Sequence, residues 1–124
     1  MIITLCGSAR FEEFFHSWNE KLTFDGHTVF GLTVYPSMKA GKKEWYSTEQ
    51  KEKLDAAHIR KIDASDAIFV VSGVHGRYIG ESTKREIAHA ERTGKAIFYS
   101  EECCSYPGCF NRLFQKPPCA LCYE

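Results

Sequence analysis

The residues best suited to chemistry lie between positions 66 and 99, in DAIFVVSGVHGRYIGESTKREIAHAERTGKAIFY. An apolar run over 67–71 breaks into a glycine-bearing loop, the loop opens a helix at Ser82, and Glu86 falls in that helix's opening turns. With Ser82 as N-cap, Glu86 takes the fourth helical position, where a carboxylate can overhang a crevice and act as nucleophile or base. The same spacing suits a surface glutamate paired along its helix with Lys or Arg, worth about 0.2–0.5 kcal/mol. Spacing alone does not choose between the two. Glu81 is a rival carboxylate, although a glutamate just before a helix commonly does no more than complement its dipole.

A second loop of similar character leaves the first apolar run. Gly7 allows close backbone approach, Ser8 adds a hydroxyl, and Arg10 can pair with an anion. Gly80, Ser82 and Thr83 offer a matching set before the later helix. Helix N-termini present unpaired N–H groups and a positive dipole end, which suits phosphate. The plainer readings are that Ser82 only caps its helix and Arg10 only meets solvent. Neither loop is a GxGxxG or Walker pattern, so neither is a standard dinucleotide or nucleoside triphosphate site.

The elements that must position these groups follow from periodicity. Residues 2–5 form an apolar, β-branched run closed by Gly7-Ser8, which predicts a first strand. Phe11, Phe14, Phe15, Trp18 and Leu22 recur with helical period, and Gly26 supplies a C-terminal stop. Such an aromatic stripe packs a core far more often than it stacks a ligand. Thr28–Phe30 reads as a short second strand, and 31–46 as a long loop of the kind that is often functional. Ser47 and Gln50 make a capping box for a helix reaching about residue 64, with Leu54, Ala57, Ile59 and Ile62 inward. Strands over 67–71 and 96–99 bracket the Glu86 helix.

Strand–helix alternation of this kind predicts an α/β fold: a single flavodoxin- or Rossmann-like three-layer domain over 1–100, with a small parallel sheet in the order 2-1-3-4. The strand order reverses between strands one and three, so both glycine-bearing loops should meet at one crevice. Residues 101–124 form a separate cysteine-rich tail, too short to hold a core without a staple.

Composition narrows the partners. Sixteen basic and sixteen acidic residues leave no net charge, which argues against a nucleic-acid polymer. No apolar stretch approaches the roughly 20 residues of a membrane span. The opening MIITLCGSAR lacks the features of a signal peptide, so the expected location is the cytoplasm. Five of the six cysteines crowd the tail. Cys119-x-x-Cys122 with Cys109 and Cys103 (or Cys104) supplies four thiolates for a structural zinc site without an open position. Free thiols and disulfides are the other readings of the same cluster.

The motifs Cys6-Gly7-Ser8-x-Arg10, Ser65-Asp66-Ala-Ile-Phe-Val and Ser82-Thr83-Lys-Arg-Glu86-Ile-Ala-His-Ala90 resemble, in order and spacing, the nucleoside 2-deoxyribosyltransferase superfamily, which includes nucleoside 5′-monophosphate N-glycosidases. The resemblance covers roughly residues 1–100. It implies an enzyme that cleaves the N-glycosidic bond of a nucleoside or nucleoside monophosphate and passes the sugar to water or another base. It implies that Glu86 attacks C1′, as the nucleophile of a retaining glycosidase does. Gly7, Ser8 and Arg10 would lie against the sugar and any 5′-phosphate, with Asp66, Gly80, Ser82 and Thr83 completing the substrate site. No cofactor is needed for such chemistry, and a homodimer or larger assembly is implied. Where several members carry an aspartate on the second helix, this chain has His58, a candidate proton donor by its ordinary near-neutral pKa and equally a plain helix residue. A non-catalytic nucleotide-binding module of the same fold is the alternative.

Overall fold

The computed structural model describes residues 1–39, 46–72 and 79–100. The cysteine tail, with Cys103, Cys109, Cys119 and Cys122, lies outside the described residues, as do His75, Arg77 and Tyr78 of the loop after the third strand. Among the described residues no helix is long and apolar enough to cross a membrane.

Four parallel strands, β1 (Ile2–Cys6), β2 (Thr28–Phe30), β3 (Ala67–Val70) and β4 (Ala96–Tyr99), form one sheet in the order β2-β1-β3-β4. The helices are α1 (Glu12–Phe24), α2 (Thr48–Asp63) and α3 (Glu81–Arg92). This is the expected α/β architecture and strand order. The long loop after β2 contains a 3-10 turn at Pro36–Lys39 that its sequence did not announce.

Period-two alternation in the central strands divides the core into two layers. Ile3 and Leu5 of β1 join Ala67 and Phe69 of β3 and meet Phe15, Trp18 and Leu22 of α1. The aromatic stripe of α1 is therefore core, with the Trp18 and Phe69 ring centroids 4.7 Å apart. Gly26, at φ 101°, turns the chain out of α1. The opposite face carries Cys6, Ile68 and Val70 against Ile62 of α2 and Ala90 of α3. Thr4 points the same way, and its hydroxyl meets that of Ser65 at 2.6 Å just beyond α2.

The predicted capping box holds: the Ser47 hydroxyl accepts from Gln50 N at 3.1 Å, and the Gln50 side chain accepts from Ser47 N at 2.8 Å. The start of α3 differs from expectation. Gly80, in extended conformation, is the N-cap, and its carbonyl accepts from Lys84 N at 3.0 Å. Ser82 lies inside the helix, where its hydroxyl accepts from the Arg85 guanidinium at 3.1 Å instead of from a backbone N–H. Glu86 consequently occupies the sixth helical position, half a turn beyond where a Ser82 cap would put it.

Candidate active site

Three elements bring side chains together where β1 and β3 end. Cys6 is the last residue of β1 and lies on the face covered by α2 and α3. His58 and Ile62, one turn apart, form the buried face of α2. On α3, Thr83, Glu86, Ile87 and Ala90 recur at i, i+3, i+4 and i+7, an inward stripe whose only acidic member is Glu86. The side chains of His58 and Glu86 are 8% and 15% exposed. His58 Nε2 stands 3.5 Å from Cys6 Sγ and 3.7 Å from Glu86 Oε1.

Burial sets the charge state of this trio. Desolvation pushes the Glu86 carboxyl up from 4.5 to about 7, against the thiol hydrogen bond from Cys6, and the Asp55 charge raises it further. Desolvation also lowers His58 from 6.5 to about 4, helped by the Lys61 charge and opposed by Asp55 and the Leu5 carbonyl. Cys6 is raised well above 9.0 by burial and then by Glu86, so it is a thiol. His58 and Glu86 are thus in contact without being an ion pair at neutral pH: the imidazole is neutral and the carboxyl is poised between its two forms. The ordinary near-neutral pKa on which His58 was a candidate proton donor does not survive its burial.

His58 and Glu86, but not the fully buried Cys6, line a cleft of about 160 Å³ whose wall also includes Gly7, Asp55 and Ser82. Leu32, Thr33, Val34 and Tyr46 close the other side. Val34, Tyr46 and Leu54 continue into an adjoining apolar pocket of about 270 Å³, which Gln50 and Lys53 complete. Sequence reasoning missed Cys6, Asp55 and the 32–34 wall. Alternation along β1 was the available signal for Cys6, because it puts Cys6 on the Thr4 face; the wall residues have no periodic signature.

The remaining expected site residues fall in three places. Gly7 lies in the cleft wall at φ 141°, and a Cβ there would come within 2.5 Å of the Val71 carbonyl oxygen. Its lack of a side chain thus serves the approach of the β1 loop to the end of β3. Ser8 caps the 3-10 turn Ala9–Phe11 by accepting from Arg10 N at 3.4 Å, with Arg10 exposed beside it. Gly80 and the buried Thr83 flank Ser82 at the start of α3, which has no side-chain cap. Asp66 is not brought to the cleft. It precedes β3 at the opposite, N-terminal edge of the sheet, where its carboxylate accepts from Ile2 N at 2.7 Å. A side chain at that end of a parallel strand cannot reach a crevice at the carboxyl end.

A carboxyl on the inward face of a helix, in a crevice where parallel strands end, defines the α/β class whose ligands bind at the reversal of strand order. Two solved structures share this fold. The CMP N-glycosidase BcmB of Clostridium botulinum superposes with a TM-score of 0.52 at 20% identity, over 80% of this chain and 70% of that one. The 2-deoxyribosyltransferase of Bacillus psychrosaccharolyticus gives a TM-score of 0.58 at 19% identity, over 80% and 71%. No protein-family model and no curated protein matches the sequence.

Proposed function

We propose that this protein cleaves the N-glycosidic bond of a nucleoside or nucleoside 5′-monophosphate, with Glu86 as nucleophile. The observation that carries the reading is Glu86 itself: an acidic side chain on a helix's inward stripe, 15% exposed, in the cleft at the carboxyl ends of β1 and β3. Burying a carboxyl costs stability and groups so perturbed cluster at functional sites, while a pKa of about 7 leaves a substantial carboxylate fraction at neutral pH. The names of the two structural neighbours, an N-glycosidase and a deoxyribosyltransferase, support the same reaction class.

In this reading the sugar lies over Glu86 and the base extends towards Val34, Tyr46 and Leu54. The start of α3, capped by Gly80 without a side-chain hydrogen bond, offers N–H groups to a 5′-phosphate, to which Ser8 and Arg10 of the β1 loop would add a hydroxyl and a cation. Glu86 Oε forms a bond to C1′ as the bond from C1′ to the base nitrogen breaks, giving a glycosyl ester and a base that takes up a proton. Water or a second base then attacks C1′ and releases the carboxylate. His58 is the nearest group to hand over that proton, but burial keeps it neutral in the free protein. His58 must therefore gain a proton once substrate is bound, and a bound phosphate anion raises the proton affinity of the imidazole.

The neutral state of His58 is also what favours the second reading, a nucleotide-binding module without turnover. A chromatographic screen of nucleosides and 5′-monophosphates for free base separates the two. Base release that disappears in Glu86→Ala supports the enzyme. Ligand-induced thermal stabilisation with no base over hours supports the module. An added acceptor base that yields a new nucleoside assigns a transferase, and free base alone a hydrolase.

A further inference from the structure

The reaction above makes no use of Cys6, yet the thiol is fully buried beside the two residues that the reaction needs. Its Sγ is 3.5 Å from His58 Nε2, its thiol hydrogen-bonds the Glu86 carboxyl, and the Thr4 carbonyl oxygen is more distant at 4.0 Å. One donor atom from each of Cys6, His58 and Glu86 lies within 4.8 Å of the other two. Around a tetrahedral zinc ion, bonds of about 2.3 Å to sulfur and about 2.0–2.2 Å to nitrogen and oxygen put neighbouring donors about 3.3–3.6 Å apart. The observed separations of 3.5 Å for sulfur to nitrogen and 3.7 Å for nitrogen to oxygen are within a few tenths of an ångström of that geometry.

We propose that Cys6, His58 and Glu86 form a three-ligand site for a thiophilic divalent cation, zinc, and that its occupation withdraws Glu86 from glycosyl transfer. The second clause rests on the function proposed above; the first stands on the geometry alone. Thiolate and imidazole select zinc over magnesium or calcium, which take oxygen cages. Thiolate and carboxylate together offset the two positive charges, so the occupied site buries no net charge. On binding, the Cys6 thiol and any protonated Glu86 release their protons to solvent. The three donors come from the end of β1, the middle of α2 and the inward stripe of α3, packed elements that need little rearrangement. The Leu5 carbonyl beside His58 is the kind of outer contact that orients a ligating imidazole. His58 and Glu86 also line the cleft that substrate must enter.

The test uses the full chain freed of metal by chelation, with Co²⁺ as spectroscopic probe and Zn²⁺ as inhibitor. The tail cysteines are removed as competitors in a variant carrying C103S, C104S, C109S, C119S and C122S. That variant is expected to bind one Co²⁺ with a thiolate-to-metal charge-transfer band from a single sulfur. Adding Cys6→Ser should abolish the band and weaken binding by more than the roughly 10- to 100-fold that loss of an outer-shell partner costs. Stoichiometric Zn²⁺ should suppress base release, a chelator should restore it, and Cys6→Ser should blunt the suppression relative to its own metal-free rate. Absence of the band overturns the site, whatever the activity. A band with no suppression of measurable base release overturns the regulatory clause. Where no substrate releases base, the band still decides the site, so its failure and that of the proposed function are distinct. Should the tail variant not fold by circular dichroism, the wild type and Cys6→Ser are compared for bound zinc, and an equal content overturns the site.

Discussion

The Glu86→Gln substitution gives the sharpest physical test, because the fold holds this carboxyl at a cost that depends on pH. In the folded protein its pKa is about 7, against 4.5 for a solvated glutamate, mainly through desolvation. A raised acid pKa means that the fold favours the protonated form. The associated stability is complete below about pH 4.5 and is lost as pH rises through 7. Each tenfold fall in proton concentration across that interval removes about 1.4 kcal/mol, so the loss by pH 8 is about 3 kcal/mol. Glutamine has the same shape and never ionises. The Glu86→Gln variant should therefore gain about 3 kcal/mol on wild type between pH 4.5 and pH 8, roughly 10 °C in Tm for a domain of this size. His58, with its pKa of about 4, and Cys6, raised well above 9.0, stay neutral over most of that interval, and groups distant from Glu86 are common to both proteins and cancel in the difference. Urea denaturation followed by circular dichroism, at half-unit pH steps with a chelator present, reads the difference directly. A Glu86→Gln effect independent of pH would refute the reasoning, since it would mean a solvated carboxylate of the surface kind.

Four further outcomes follow from the same packing. Trp18→Ala should destabilise the domain by about 3–5 kcal/mol in a denaturation curve, because it empties the layer between α1 and Phe69. Gly7→Ala should be destabilising by about 1–3 kcal/mol and impair ligand binding, since its Cβ would meet the Val71 carbonyl oxygen at 2.5 Å and must displace the loop. Alkylation at pH 8 followed by peptide mass analysis should leave Cys6 unmodified in the native protein and modify it in denaturant, because the buried group is a thiol. A double-mutant cycle on Asp63 and His89, 2.7 Å apart between α2 and α3, should return a coupling below about 1 kcal/mol, as Asp63 is half exposed.

The fold was legible because each element carries its own period. The stripe from Phe11 to Leu22 announced α1, Ser47 with Gln50 announced α2, and a continuous apolar run announced β3, which is buried throughout. What was harder to read depends on relations between elements. Ser82 looked like a cap, but the backbone at Gly80 was already extended and took the role. Asp66 travels with a motif that borders the site in sequence, yet parallel β3 carries its two ends to opposite edges of the sheet. Glu86 and His58 were both visible as candidates. Their charge states were not, because desolvation comes from neighbours supplied by β1, α2 and α3 at once. Cys6 opens a motif in which only Gly7, Ser8 and Arg10 were given roles, and only the assembled face reveals its own partners.

The central claim is that Glu86 carries glycosidic cleavage in the cleft at the carboxyl ends of β1 and β3. Its most direct test is the rate of base release by wild type and Glu86→Gln on the best substrate from the nucleoside and nucleotide screen, with ligand binding measured in parallel. The account predicts that the rate falls by roughly a thousandfold or more while binding is retained. A Glu86→Gln protein that releases base within twofold of the wild-type rate would contradict it.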